Sequence, residues 1–567
     1  MKVIDASIML RDCGGMGLVF AAVTPQVRRN NTTPDKDLAL LHHVKYALER
    51  YCNSMVDSPQ NRNHGPTRTP GATPRKSDDC LTSTYGLNYN FIGNKFVLSK
   101  SRNWKKVHDP LPHPKSSQIF ITRVPESTAE EISEAVAAAV AAQPAWAATS
   151  ANQRKRLLTE VISLLRQSGS RIRYILSHEV GKTLADAEAE FERGIDALET
   201  ACSESEISGA HFVNHSTEIH TIHEPLGVCL TISPFNFPFL VPLWSIPYAL
   251  LAGNTLILKP SEQTPSVSQV LAECFLKAGC APGVFNIVHG GAGVVTSLLS
   301  KPAIRAVSFV GSNAAGEKVY EHARATRKRV QIECGGKNHG VVLEDAARKK
   351  ALYAIAGSAF GAAGQRCMAV SVVVFVGSTR EWIDDLVEIT KSLVVGCGSD
   401  TFVDIGPVIT AASKRRIEDV ISIAESEGAT VLLDGRDCTV PDYPNGNFVG
   451  PTILTGVRPY MSCYQDEIFG PVLCCVEVPT LEEAVDLIND NRYGNGCTLF
   501  TSSPRNAQVF QRSVNVGQIG INVPVIAPSG PLQRTANKDS FLGDLNAPGR
   551  QPGQFFTMTK SITSMWP

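Results

Sequence analysis

Along the chain, two hydrophobic rhythms alternate from about residue 88 onward. In one, apolar residues recur every three or four positions. Ser127 followed by Glu130 has the spacing of a capping box and predicts the start of an alanine-rich helix, and residues 152–168 and 185–203 carry the same helical period. In the other, apolar residues run without interruption between Gly, Pro or Ser. GVCLTIS (227–233), NTLILKPS (254–261), VFNIVHG (284–290) and AVSFVGS (306–312) are such runs, with helix-length segments between them. Strand alternating with helix predicts a parallel sheet with right-handed crossovers. A second unit of the same kind follows. Its strands are SVVVFVG (371–377), ATVLLDG (429–435) and PVLCCVEV (471–478), and its helices fall at 380–394 and 481–490. No internal repeat is present, and the fold class predicted is α/β.

Residues 1–87 do not share this pattern. A helix is predicted at 36–52, and the Pro-, Asn-, Arg-, Thr- and Ser-rich stretch from Asp57 to Asp79 reads as loop or disorder. A chain of 567 residues is too long for one core, so several domains are expected. The formal net charge of +0 advertises neither nucleic acid nor a charged partner. The 15 cysteines are scattered, with neither a repeated spacing nor a CxxC pair, and no HExxH occurs. A disulfide framework and a zinc site are therefore not expected, and a reducing compartment is. Residues 225–258 carry no charged side chain but hold Pro225, Pro234, Pro238, Pro242 and Pro247, which break the run into strand, loop and helix rather than a membrane span. The apolar patch at 15–23 follows Arg11 and Asp12 and lacks a small-residue cleavage site, so no secretory signal is expected.

Ligands of a parallel sheet collect at the carboxyl ends of its strands. Asn236, Lys259, Glu262 and Ser312 stand there. In KPSEQTP (259–265), Lys259 can hold a ribose hydroxyl or a phosphate and Glu262 a ribose diol; the alternative is a surface turn before a helix. FVGSNAAG (309–316) places Gly311, Ser312 and Gly316 at a strand-to-helix junction whose free amides suit an anion. In SPFNFP (233–238) the Asn236 amide can stabilise an oxyanion or simply satisfy a turn. EIFGPV (467–472) sets Glu467 two residues before the Phe469 ring, a pair able to hold a nicotinamide ribose and ring or to pack a helix end. FGAAGQRCMA (360–369) carries Cys367 behind small residues and directly after Arg366. A neighbouring guanidinium favours thiolate, although an isolated cysteine of this kind also reads as structural. The usual GxGxxG fingerprint after a first strand is absent.

Together SPFNFP, KPSEQTP, FVGSN, ECGGK, GQRCM, EIFGPV and GINVP resemble the aldehyde dehydrogenase superfamily in order and approximate spacing, over roughly residues 88–567. PFNFP, GGKNHG (335–340), PNGNFVGPTI (444–453), YGNG (493–496) and the ending TKSITSMW (559–566) are most similar to its CoA-acylating methylmalonate-semialdehyde branch. The resemblance implies an atypical extension at 1–87, a Rossmann-type NAD-binding domain at 88–333 with an oligomerisation arm near 207–225, an α/β catalytic domain at 334–538 and a C-terminal oligomerisation tail at 539–567. It implies a homodimer or homotetramer, NAD as cofactor, CoA as co-substrate and a small aldehyde as substrate, with neither nucleic acid nor membrane as partner. Mitochondria are the implied compartment, otherwise the cytoplasm. The family roles fall on Cys367 as nucleophile and Asn236 with the Cys367 backbone N–H as oxyanion donors. Ser233, Phe235, Lys259, Glu262, Gln263, Ser312, Cys334, Glu467 and Phe469 become cofactor contacts, and Arg193 and Arg366 partners of a substrate carboxylate. For Arg193 the alternative is an ion pair with Glu190 or Asp196 on its own helix.

Four features depart from that branch and suggest a diverged paralogue. Glu333, in ECGGK, stands where hydrolytic members carry a general base, so both acyl transfer to CoA and hydrolysis to a free acid are open. Gln263 replaces an arginine. IAPSGPLQRTANKDSFLGDL (526–545) differs from the segment lining the substrate entrance, and LPHPKSSQIF (111–120) reads as an insertion.

Overall fold

A computed structural model describes residues 86–111, 120–203, 210–214, 217–524, 535–543, 545–546 and 550–566. The helix predicted at 36–52, the loop at 57–79, nearly all of the 111–120 insertion and half of 526–545 lie outside the described residues. The first described helix, Ala129–Ala147, starts one residue later than its sequence signature suggests. Its capping box is Thr128 with Glu131: the Thr128 hydroxyl accepts the Glu131 N–H at 3.3 Å, and the Glu131 carboxylate accepts the Thr128 N–H at 2.9 Å. Both registers satisfy the S/T-x-x-E pattern, and tertiary contacts choose between them. Glu131 is also bonded by Ser99 Oγ and the Lys100 N–H, each at 2.7 Å, while Ser127 Oγ donates to the His289 carbonyl at 2.6 Å. Helices Ala151–Gln167, capped by Ser150, and Leu184–Ser203 follow close to their predicted places.

The uninterrupted apolar runs are strands of a sheet covered on both faces, which is why they lack an alternating pattern. An eight-stranded sheet runs in the order Lys95–Val97, Asn90–Ile92, Phe285–Ile287, Thr255–Lys259, Val228–Ile232, Ile304–Val310, Arg329–Glu333 and Phe541–Gly543. Its five inner strands, from Phe285–Ile287 to Arg329–Glu333, are parallel. Chain order reverses between Val228–Ile232 and Ile304–Val310, so a crevice opens at the carboxyl ends of those two strands.

The chain leaves this sheet at Glu333 and enters a seven-stranded one at Asn338. There the order is Thr430–Leu433, Thr452–Thr455, Val472–Val478, Val370–Val376, Asn338–Val342, Gly496–Phe500 and Gln518–Ile521, parallel except at the first strand. The chain then returns. Phe541–Gly543 adds antiparallel to Arg329–Glu333, closing the edge of the first sheet. Thr557–Met565 pairs along its whole length with Thr217–Pro225, which also pairs with His211–Asn214. The uncharged run 225–258 is divided into strand, 3-10 turn, short helix and strand, and no described helix is long and apolar enough to cross a membrane.

Candidate active site

Cys367 is delivered by an unusual turn. Helix Arg348–Phe360 stops at Gly361, and Ala362, Ala363 and Gly364 then adopt left-handed backbone with φ of 51°, 53° and 70°. For alanine that conformation costs about 1 kcal/mol per residue, so surrounding contacts must impose it. Gly364 permits the closest one, since a Cβ there would lie 2.1 Å from the Gly470 carbonyl oxygen. Gln365 braces the turn by accepting the Ile409 N–H at 3.0 Å and donating to the Ala362 carbonyl at 3.3 Å. The carbonyl of Cys367 accepts from the amides of Asn338, at 2.8 Å, and Asn495, at 2.9 Å. The Gly496 N–H donates to Asn338 Oδ1 at 3.0 Å and so fixes which way that amide points. The thiol itself is half-buried, and it precedes strand Val370–Val376. It therefore sits at the amino ends of the second sheet, as do Glu467 and Phe469 before Val472–Val478, whereas Ser233, Phe235, Lys259, Glu262, Gln263, Ser312 and Cys334 follow strands of the first.

Asn236 approaches from the loop after Val228–Ile232. It is buried, and its amide donates one proton to the Gln365 carbonyl at 2.9 Å, two residues before the thiol. The amide has a second proton, and Asn236 and Cys367 line the same cavity, of about 850 Å³.

The remainder of the cavity wall carries the residues expected to contact a cofactor. Ser312 is the N-cap of helix Asn313–Ala325, and Gly311 and Ser312 open the helix start to the cavity, a setting for a pyrophosphate. Lys259 lies at the floor, its ammonium 3.1 Å from the Gly290 carbonyl and 3.6 Å from Glu262. Burial lowers its pKa, and Glu262 opposes that. Ser233 and Gln263 line the same wall. At the far side the rings of Phe235 and Phe469 meet edge to face, with centroids 5.8 Å apart, and Phe469 is held at φ 52°. Burial pushes the Glu467 carboxyl up to about 7, against the Gly336 N–H at 3.1 Å and the charges of Lys337 and Arg416. Gly335 makes room for it, because a Cβ there would lie 2.2 Å from Glu467 Oε2. Cys334 forms part of the wall beneath Gly316, and burial raises its thiol to about 12, which keeps it neutral.

One cavity thus gathers Cys367, Asn236 and all nine cofactor candidates. Three residues picked from the sequence are not in its wall. Glu333 is buried at the end of its strand, where its backbone carbonyl accepts the Gly311 N–H, and Cys334 faces the cavity in its place. Arg366, expected to hold a substrate carboxylate, is turned away: its guanidinium pairs with Asp186 and lines a separate small space. Arg193 lies half-buried on the Leu184–Ser203 helix, outside the cavity wall, and Glu190, one of its expected partners, is taken by Lys182. The pattern-based reading overlooks Asn338, Asn495 and Gln365, which hold the Cys367 loop. Their one signal is an amide side chain among small residues, in GGKNHG, YGNG and AAGQRC.

Two largely parallel sheets, with a cysteine loop from one and strand-end loops from the other lining a single cavity, define a class. The chain belongs to the aldehyde dehydrogenase family, whose model matches residues 100–562. It is 46% identical over 480 residues, 84% of this chain and 78% of the relative, to the mitochondrial acylating methylmalonate-semialdehyde dehydrogenase of Arabidopsis thaliana. Among solved structures, the methylmalonate-semialdehyde dehydrogenase of Oceanimonas doudoroffii is 36% identical, with a TM-score of 0.82 covering 86% of this chain and 99% of that one. A Sinorhizobium meliloti structure complexed with NAD gives the same identity, TM-score and coverage.

Proposed function

We propose that this protein oxidises an aldehyde of the malonate- or methylmalonate-semialdehyde type with NAD and passes the acyl group to CoA, with loss of carbon dioxide. The observation that carries the reading is the meeting of Cys367 and Asn236 in one cavity with the helix start at Ser312, Lys259 and Glu467. The likeness to acylating relatives supports the finer choice.

Cys367 Sγ adds to the aldehyde carbon, and the carbonyl electron pair moves to oxygen. The second amide proton of Asn236 and the Cys367 N–H stabilise that oxyanion, a role worth about 3–4 kcal/mol for one donor. NAD, when bound, supplies the acceptor for the hydride. Ser312 and the start of its helix would hold the pyrophosphate, Lys259 and Glu262 the adenosine ribose, and Glu467 with Phe469 the nicotinamide end. Ser233, Phe235, Gln263 and Cys334 shape the walls. A thioester on Cys367 remains, and the CoA thiolate displaces Cys367 from its carbonyl carbon. The substrate carboxylate leaves as carbon dioxide: the C–C bond breaks, its electron pair passes to the α-carbon as a thioester enolate, and a proton from solvent takes the place of the lost group.

Hydrolysis with Glu333 as base is the second reading. The position of Glu333 outside the cavity wall disfavours it, since the carboxyl must swing in before it can activate water. The test is NADH formation from either semialdehyde with and without CoA, with products read as thioester or free acid. Turnover that requires CoA supports the proposal; steady turnover to free acid without CoA, abolished in Glu333→Ala, overturns it. We further propose residues 88–333 and 334–538 as the cofactor and catalytic domains, with the arm near 207–225 and the 539–567 tail joining two or four copies. The exposed side chains of Phe212, Val213, Ile219 and Met558 on that arm sheet support this. The mitochondrial compartment of the Arabidopsis relative supports the same compartment here.

A further inference from the structure

Asp186 and Glu190 stand one turn apart on the Leu184–Ser203 helix, a spacing that puts both on one face. Each carboxylate reaches out of the helix to a different loop of the active site. Asp186 Oδ2 accepts the N–H of Ala362 at 3.1 Å, and its Oδ1 pairs with the Arg366 guanidinium. It therefore grips the left-handed turn at its first residue and again at the residue next to the nucleophile. Glu190 Oε1 accepts the N–H groups of Phe239, at 2.9 Å, and Leu240, at 3.1 Å, just beyond Asn236. Its other oxygen pairs with Lys182, whose ammonium lies 3.9 Å from the centroid of the Phe237 ring. The side chains of Lys182 and Glu190 are 3% and 0% exposed. A buried pair is expensive in desolvation and is seldom the cheapest way to stabilise a fold, so its loop contacts call for a role. The helix is also notched for the Asn236 loop: a Cβ at Gly194 would lie 2.5 Å from the Phe239 ring.

The two loops come from different sheets. Asn236 follows a strand of the first, and Cys367 precedes a strand of the second. Their relative position sets the gap in which an aldehyde oxygen must fit. We propose that Asp186 and Glu190 are positioning residues that fix both loops to one rigid helix and so hold the Asn236 amide and the Cys367 thiol in register. The inference rests on the catalytic reading of Cys367 and Asn236 given above.

Asp186→Ala removes both of its contacts at a half-buried site. Because a displacement of about 1 Å at a reacting centre costs on the order of 100-fold in rate, the single-turnover burst of NADH should fall by about that factor. KM for NAD should stay unchanged, because the cofactor walls are untouched. Asp186→Asn keeps an acceptor for the Ala362 N–H and should recover part of the burst. For Glu190, the paired variant Lys182→Met with Glu190→Gln keeps an acceptor for Phe239 and Leu240 without stranding a buried charge, and should retain more of the burst than Lys182→Met with Glu190→Ala. An Asp186→Ala enzyme that loses melting temperature but keeps the wild-type burst overturns the proposal. So does one with unchanged kcat and a lower KM for the aldehyde, which would make Asp186 a competitor of the substrate for Arg366. Failure of the parent reading looks different: Cys367→Ser would then show a wild-type burst.

Discussion

Substituting Gly364 by alanine puts the turn that carries Cys367 under a defined load. The backbone there has φ +70°, and a Cβ would stand 2.1 Å from the Gly470 oxygen, 2.4 Å from the Gly470 carbon and 2.9 Å from the Pro471 nitrogen. All three are main-chain atoms, so no side chain can rotate to relieve the overlap. Ordinary contact begins near 3.4 Å, leaving about 1.3 Å to be absorbed. Gly470 cannot retreat freely, since it packs closely over Ile417: a Cβ on Gly470 would itself lie 2.6 Å from that side chain. The movement therefore falls on the turn carrying Cys367. Overpacking of this kind costs about 1–3 kcal/mol, and left-handed backbone adds about 1 kcal/mol for alanine. A shift of about 1 Å at the thiol should lower the acyl-forming step on the order of 100-fold. Stopped-flow NADH formation under single turnover reads that step, and iodoacetamide alkylation of Cys367 reads access to the thiol. A Gly364→Ala enzyme that folds with unchanged burst and alkylation rates would refute the claim that this turn is rigidly held against Gly470.

Two further outcomes follow from buried carboxyls. Glu467 is raised to about 7, so it ionises as pH climbs through neutrality and becomes a stronger acceptor for ribose hydroxyls; KM for NAD should fall between roughly pH 6 and 8, and Glu467→Gln should flatten the profile. If the two profiles coincide, Glu467 does not contact the cofactor as an anion. Glu179 is likewise raised from 4.5 to about 7 by burial, while the Ser266 N–H and hydroxyl oppose the shift. Its folded pKa exceeds its unfolded one, so its contribution is complete below about 4.5 and is lost as pH rises through 7, on the order of 3 kcal/mol in all. Glu179→Gln keeps an acceptor for Ser266 without a charge, so urea unfolding should find it more stable than wild type at pH 8 and matched to it at pH 5; identical pH slopes would sink the argument.

The central strands could be read from the sequence because burial on both faces leaves an uninterrupted apolar run, as in Val228–Ile232 and Val370–Val376. Helix Leu481–Asp490 was equally plain from its period and falls where predicted. Asn338–Val342 was not, because its glycine and polar residues look like loop until Val370 and Thr498 are seen packed against Gly340. Phe541–Gly543 is three residues long, and only its partner strand makes it a strand. The capping register at Thr128 was settled by Ser99 and Lys100, which no local pattern contains. The site divides in the same way. Residues on strand ends and Gly-rich loops announced themselves, and they converge on one cavity. Arg366 did not, since its direction depends on Asp186, 180 positions earlier, and the amides of Asn338 and Asn495 act on a carbonyl rather than on anything a motif describes.

The return of the chain to the first sheet has a consequence for biosynthesis. Gln331 pairs with Gly543, and Thr217 with Met565. While a ribosome is still extending the second sheet, the first already has its five parallel strands but presents Arg329–Glu333 as an open edge. Such an edge is a template for any other extended chain. A nonsense mutation between Gly470 and Phe541 would leave that edge open permanently. Truncated products would then be lost to aggregation or proteolysis of the amino-terminal half, even though every residue of the cofactor cradle up to Glu467 and Phe469 had been made.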